Sequence, residues 1–405
     1  MSLSETTISP ESTPIVDDRK IAKTAGYYLA FTALGMVAAV LGPTLPGLAE
    51  HTQTELREIS FLFTARSFGY LIGSLLSGRL YDRLPGHPLL AAVLILVAAT
   101  MALTPMVPLL WLLIVVLLFM GMGEGVLDVG GNTLLVWVHR HKVGPFMNAL
   151  HFFFGAGAFI APIIIAQAVK MSGDIHWAYW SLALLIFPIS LWLLRLPSPL
   201  VQTVSEDEPT GQVNHLLVAL IVFFFFLYVG AEVTFGGWIF TYTVTLELTT
   251  ETFAAYLTSA FWGMLTVGRL AAIPIAFRVR PRFILLSDLL GCLTSVGIIL
   301  LWPNSLVAVW LGALGLGFSM ASIFPTTLNL AEGRMTITGR VMSWFFVGAS
   351  IGAMFLPWFV GQLFDSFGPQ MMMFIILIDL LIATGLFFIL ISYSTRTKAG
   401  NEEKI

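Results

Sequence analysis

Twelve long apolar stretches, arranged as two sets of six that share a spaced residue signature, constrain this chain more than any other feature. Gly144, Met147, Gly157, Ala158 and Pro162 reappear as Gly339, Met342, Gly352, Ala353 and Pro357, each displaced by 195 residues. Gly73, Gly78, Arg79 and Leu80 return as Gly263, Gly268, Arg269 and Leu270 at an offset of 190. Gly35/Gly230 and Gly42/Gly237 restore the 195 spacing. One such match arises by chance; an ordered series predicts two structurally similar halves.

Of the 405 residues, 57% are hydrophobic and 11% charged. A soluble domain carries about 25% charged residues, so the surface of this chain faces lipid. A helix spans the hydrocarbon with about 20 apolar residues, and in lipid only helices or closed barrels satisfy every backbone group. The runs are too long and too little alternating for barrel strands. The expected fold is therefore all-α and integral to the membrane: twelve transmembrane helices in two pseudo-symmetric six-helix bundles. The single cysteine, Cys292, excludes an intrachain disulfide. A net charge of −3 gives no electrostatic footprint for nucleic acid.

The spans are predicted at 25–47, 58–80, 88–107, 109–138, 145–170 and 177–196, then 214–243, 252–277, 283–302, 305–332, 340–362 and 371–393. This divides the chain into an N-terminal tail (1–24), a bundle (25–196), a polar linker (197–213) containing Ser205-Glu206-Asp207-Glu208-Pro209, a second bundle (214–394) and a C-terminal tail (395–405). Residues 1–20 are polar and lack the apolar core of a cleavable signal peptide. With the N-terminus inside, the cytoplasmic segments hold 16 Lys and Arg residues against Arg57 and Lys170 outside. That bias predicts both tails in the cytoplasm. Gly42-Pro43-Thr44-Leu45-Pro46 is expected to break the helix where the first span ends. Pro162 and Pro357 are expected to kink the fifth and eleventh spans.

An ionisable side chain in the hydrocarbon costs about 3 kcal/mol or more, so each one needs a partner or a task. Arg66, Glu124, Asp128, His151, Glu232, Asp288 and Asp379 all fall inside predicted spans. Glu124, Asp128 and Asn132 recur every four residues and so share one helix face. A polar stripe through an apolar helix belongs beside a wet cavity. At about 1.5 Å per residue from the cytoplasmic end, Asp128 lies about 15 Å deep, and Glu124 and Arg66 both about 22 Å. The expectation is an Arg66–Glu124 ion pair that leaves Asp128 free to titrate; one static network of all three is the alternative.

Asn148 and His151, three residues apart, supply donors and acceptors suited to hydroxyl groups. A structural role for the histidine stays open. In the second half, Tyr228 and Glu232 share a face, and Trp238, Trp262, Asn329 and Trp344 are further polar or aromatic groups within spans. Each tryptophan is a candidate to cover a sugar ring or, alternatively, a packing or interfacial residue. Asp288 and Asp379 are read as structural. His139-Arg140-His141-Lys142 reads as a basic loop rather than a metal site. No phosphate-binding Gly-Lys-Ser/Thr loop, His-Glu-x-x-His or nucleophile elbow is present. Catalysis and a cofactor are therefore not expected, and energy must come from an ion gradient or the solute's own gradient.

The twelve spans, acidic linker and duplicated halves resemble the major facilitator superfamily. Its signature loop after the second span is similar to Gly78-Arg79-Leu80-Tyr81-Asp82-Arg83-Leu84-Pro85-Gly86-His87, with one extra residue before Gly86 and His87 in place of Arg or Lys. The resemblance implies that Gly78, Asp82 and Arg83 belong to a cytoplasmic gate. Within the superfamily, the run Gly121 to Asn132 and the run Asn148 to Pro162 resemble the fourth- and fifth-span motifs of the fucose:proton symporter group and its sodium-dependent glucose transporter-like branch. That likeness implies that Asp128 binds sugar and proton and that Asn132 contacts sugar. The symporters carry a further acid in the first span; residues 25–48 contain none, and Glu232 is the candidate substitute.

These readings converge on a secondary transporter whose halves rock about a central site. The expected substrate is a neutral hydroxylated solute, a hexose above all. Its expected binding residues are Asp128, Asn132, Asn148, His151, Trp238, Trp262, Asn329 and Trp344. Ion coupling is assigned to Asp128, Glu124, Glu232 and Arg66, with protons first and sodium second; membrane lipids are the other partners. Export of amphipathic molecules, suggested by Phe223-Phe224-Phe225-Phe226 and the many methionines, and a non-transporting receptor or scaffold are the rival readings.

Overall fold

The computed structural model describes residues 19–199, 214–335 and 337–402. The expected N-terminal tail up to residue 18, and the linker from residue 200 to 213, lie outside the described residues. Fifteen α-helices build the described chain, and no strand occurs among the described residues. The first half contains α1 (Lys20–Ala38), α2 (Leu41–Thr52), α3 (Leu56–Ile59), α4 (Phe61–Arg83), α5 (Gly86–Leu103), α6 (Leu110–His139), α7 (Val143–Ser172) and α8 (Ile175–Leu194). The second contains α9 (His215–Thr245), α10 (Glu251–Ala276), α11 (Pro281–Leu301), α12 (Leu306–Met320), α13 (Ile323–Glu332), α14 (Gly339–Phe367) and α15 (Gln370–Glu402). Eleven helical segments are long and apolar enough to cross a membrane, and the bent pair α1–α2 makes a twelfth.

The first span runs past its predicted end at 47, to Thr52. It bends by 48° and resumes as α2. Pro43 has no N–H to offer the Ala39 carbonyl, and the ladder lapses at Ala39–Val40, one turn before it; Thr44 Oγ1 donates to the Val40 carbonyl at 2.8 Å. The tenth span is likewise two helices, α12 and α13, parted at Ala321–Ser322, one turn before Pro325. Both breaks leave carbonyls free for side chains of other helices, a common device where an apolar bundle surrounds polar groups. Pro162 and Pro357 lie inside the single helices α7 and α14.

The repeated glycines show why the halves match. Gly157 on α7 lies so near α1 that an added Cβ would stand 2.0 Å from the Thr32 carbonyl oxygen; Gly352 on α14 has the same relation, also 2.0 Å, to the Phe226 carbonyl of α9. Small residues give such close backbone approach in membranes, where no hydrophobic force drives helices together. Gly157→Val and Gly352→Val should each force a helix pair apart and cost about 1–3 kcal/mol or more. A fall in monodisperse protein by fluorescence-detected size exclusion checks this, and wild-type yield from both variants would contradict it.

The two halves meet closely at one end. Arg57 donates its backbone N–H to Asp365 Oδ2 at 3.1 Å and its Nε to Gln362 Oε1 at 3.0 Å, while Gln362 Nε2 returns a bond to the Arg57 carbonyl at 3.0 Å. Ser259 Oγ donates to the Phe159 carbonyl at 2.7 Å, and Gln167 reaches the Tyr256 hydroxyl. Toward the opposite, basic end, an added Cβ on Gly78, Gly144 or Gly339 would meet nothing within 4 Å.

Candidate functional site between the bundles

The site begins at the seam of α4 and α6. An added Cβ on Gly121 would stand 1.9 Å from the Arg66 carbonyl oxygen, and one on Gly125 2.2 Å from that of Tyr70. With the two backbones this close, residues one turn apart on α4 meet residues one turn apart on α6. Arg66 thus faces Glu124, and Tyr70 faces Asp128.

Arg66 and Glu124 form a two-pronged pair, Nε to Oε1 at 2.7 Å and Nη2 to Oε2 at 2.6 Å. The fixed guanidinium fork matches a carboxylate, which makes this among the stronger polar contacts. Arg66 Nη1 also donates to the Ala38 carbonyl at 3.3 Å. That carbonyl is available because α1 stops there, and the negative end of the helix favours a cation. Among the described residues, Asp128 makes no ion pair. The Tyr70 hydroxyl donates to its Oδ2, and Asn132 Nδ2 donates to its Oδ1 at 3.0 Å and to its backbone carbonyl at 2.9 Å.

A matching cluster stands in the second half. The Tyr228 hydroxyl contacts Glu232 Oε2 and lies 3.1 Å from the Met320 carbonyl, which the break after α12 leaves free. Ser322, at the same break, donates to Asp288. Asp379 is buried in α15, and its Oδ2 has no hydrogen-bond partner.

Besides a 470 Å³ groove at the closed end beside Glu55, Thr241 and Asp365, two cavities lie between the halves. The central one, 290 Å³, is walled by Arg66, Tyr70 and Glu124 on one side and by Glu232, Trp262 and Ser350 on the other. Trp262 Nε1 is buried with no partner among the described residues, so the wall offers an unused donor. The second cavity, 550 Å³, lies toward the basic end and is walled by Asn148, His151, Thr266, Arg269, Thr326 and Asn329. Phe324 lines both.

The structure thus separates residues expected in one site. Asn148, His151 and Asn329 come together; His151 also sets its ring edge-on to Phe31 at 5.9 Å. Asn132 is engaged with Asp128 instead of joining them, and Asp128 stands behind Tyr70, half-buried, off the described walls of both cavities. Trp238 is sealed away: it is fully buried near Phe63 and Phe364, and its Nε1 donates to the Pro357 carbonyl at 3.0 Å. Trp344 lines a separate apolar groove between α9 and α14. Asp82 and Arg83 are exposed at the basic end and form no hydrogen bond or ion pair among the described residues. His87, in the first turn of α5, is buried with its Nε2 2.7 Å from the Tyr27 hydroxyl and its Nδ1 3.0 Å from the Leu196 carbonyl. Tyr70, Ser350, Thr266, Arg269 and Thr326 are polar wall residues absent from the expected site.

The sequence profile described as Major Facilitator Superfamily matches residues 27–348. The chain belongs to the major facilitator superfamily. It is thus an integral, multi-pass membrane protein of a transporter family. Among superfamily relatives, the sodium-dependent glucose transporter 1 of Xenopus laevis is 35% identical over 362 residues, covering 82% of this chain and 74% of that protein. The human protein of the same name is 30% identical over 397 residues, covering 89% and 77%. A solved D-xylose-proton symporter superposes with a TM-score of 0.70 at 14% identity, covering 91% of this chain and 97% of the other. That likeness, at such low identity, shows the superfamily fold alone.

Proposed function

We propose that the protein is a secondary active transporter that carries a neutral hydroxylated solute, a hexose above all, by alternating access between its two bundles. Proton coupling is the first reading and sodium coupling the second. One observation carries the proposal: on the wall of the central cavity Glu124 is neutralised by Arg66, whereas Glu232 on that wall and Asp128 behind Tyr70 each hold a tyrosine hydroxyl and, among the described residues, no ion-paired cation. A carboxylate without a cation in the membrane favours taking up a proton before the cavity closes. Both oxygens of Asp128 receive donors, from Tyr70 and Asn132. A proton requires only that one hydroxyl reverse its role, whereas a sodium ion would have to displace donors. The names of the 30–35% identical relatives favour sodium and a glucose substrate.

The solute's hydroxyls would engage the free Trp262 Nε1 and Ser350 in the central cavity, and Asn148, His151 and Asn329 toward the basic end. With both tails cytoplasmic, the basic end is the inner face and the closed end the outer, so this conformation admits solute from the cytoplasm. Rocking would part the Arg57–Gln362 contacts and bring the Asp82–Arg83 end of α4 against the other bundle. Export of amphipathic molecules is the second reading. The groove of Val222, Phe223, Phe226, Trp344 and Ile351 favours it, and so does its volume of 660 Å³.

Counterflow in proteoliposomes, with pH and sodium varied, tests the proposal. Labelled glucose should exchange into glucose-loaded vesicles and be suppressed by unlabelled hexoses. Exchange blocked by amphipathic compounds but not by hexoses would favour export, and binding without exchange would favour a receptor.

A further inference from the structure

The larger cavity carries an unbalanced charge. Of its wall residues, Arg269 is the one with a permanent charge; the others are Asn, Thr, apolar groups and the titratable His151. Arg269 makes no hydrogen bond and no ion pair within 4.0 Å among the described residues. Contrast Arg66, each of whose three guanidinium nitrogens donates a hydrogen bond, to Glu124 or to the Ala38 carbonyl. Glu232 lies within electrostatic reach of Arg269, but its carboxylate contacts Tyr228 and faces the smaller cavity. Arg269 sits seven residues before the end of α10, about 10 Å inside at about 1.5 Å per residue. Its repeat counterpart, Arg79, is exposed near the end of α4, so the duplication alone does not require a cation in the cavity.

A guanidinium at a cavity wall presents a rigid fork of N–H donors that fits a carboxylate in two-pronged fashion. Around it, Asn148, Asn329, Thr266 and Thr326 offer neutral donors and acceptors, the groups that hydroxyls require. We infer that this cavity binds polyhydroxylated carboxylates of hexuronate type, the carboxylate on Arg269 and the ring hydroxyls on the Asn and Thr side chains. The inference rests on the sugar-transport reading and extends it from neutral hexoses to sugar acids. A ligand whose anion completes Arg269 also removes the cost of closing an unpaired cation away from water.

Thermal stabilisation of the detergent-purified protein tests this without needing transport. Glucose, glucuronate and glucuronamide would be titrated at one ionic strength. The amide has nearly the shape of the acid and no charge. For wild type, half-maximal stabilisation by glucuronate is expected at a concentration at least about tenfold below that for the amide, the worth of one charge-assisted contact. The advantage should vanish in Arg269→Gln and partly return in Arg269→Lys. Equal or weaker stabilisation by the acid in wild type overturns the inference, whether or not Arg269→Gln folds. An acid preference that survives Arg269→Gln also overturns it. Glucose reports separately on the reading beneath: stabilisation by glucose with none by glucuronate leaves hexose transport standing, and glucuronate without glucose removes the neutral hexose while keeping Arg269.

Discussion

Asp128→Asn should abolish accumulation of solute against its gradient while exchange across a balanced gradient continues at a reduced rate. The substitution keeps the size of the side chain and an oxygen to accept the Tyr70 hydroxyl, and a reorientation of Asn132 can answer the new amide. What it removes is the capacity to exist with and without a charge. A charge carried across 100 mV supplies about 2.3 kcal/mol, a roughly 50-fold concentration ratio at about 1.4 kcal/mol per decade. In proteoliposomes with an imposed proton gradient and potential, wild type should accumulate solute toward that ratio and Asp128→Asn should stop near equality. Wild-type accumulation by the variant would show that Asp128 does not couple.

Glu124→Gln should act on folding rather than on coupling. The side chains of Arg66 and Glu124 are only 14% and 6% exposed, so losing the carboxylate strands a guanidinium among apolar helices. Breaking a buried pair in this way costs about 3–5 kcal/mol, whereas removing both charges is often near neutral. Both Glu124→Gln and Arg66→Gln should therefore lower the melting midpoint and the folded yield sharply. The double variant should recover most of the loss. If it is no better than the worse single variant, the pair does more than neutralise itself. Transport by the recovered double variant then reports whether the pair also shapes the cavity it lines.

Residue spacing foretold much of this site, and the rest depended on directions that spacing does not encode. Arg66 and Glu124 were matched by equal depth, and the same seam brings Tyr70 to Asp128 one turn further along. Tyr70 escaped notice because an aromatic in a span reads as packing, although it precedes Asp128 by as many residues as Arg66 precedes Glu124. The polar stripe puts Asn132 on the face of Asp128, where four-residue spacing lets it bond back to Asp128 within its own helix, off both cavity walls. Trp238 and Trp344 share composition with Trp262, yet only Trp262 lines the central cavity, since a tryptophan's facing follows from neighbouring helices. Arg269 is legible in the sequence only as the repeat counterpart of Arg79, and it is the fold that sets it on a cavity wall beside His151. The broken tenth span went unseen because Pro325 lies in an otherwise continuous apolar run.

The most direct test is proton movement driven by solute itself, read with a pH dye trapped inside proteoliposomes in sodium-free buffer. If an acid lacking a cationic neighbour links ion to cargo, a transported hexose added outside should acidify the lumen of wild-type vesicles but not of vesicles carrying Asp128→Asn. Hexose entry with no change in internal pH, or equal acidification by both proteins, would contradict the assignment.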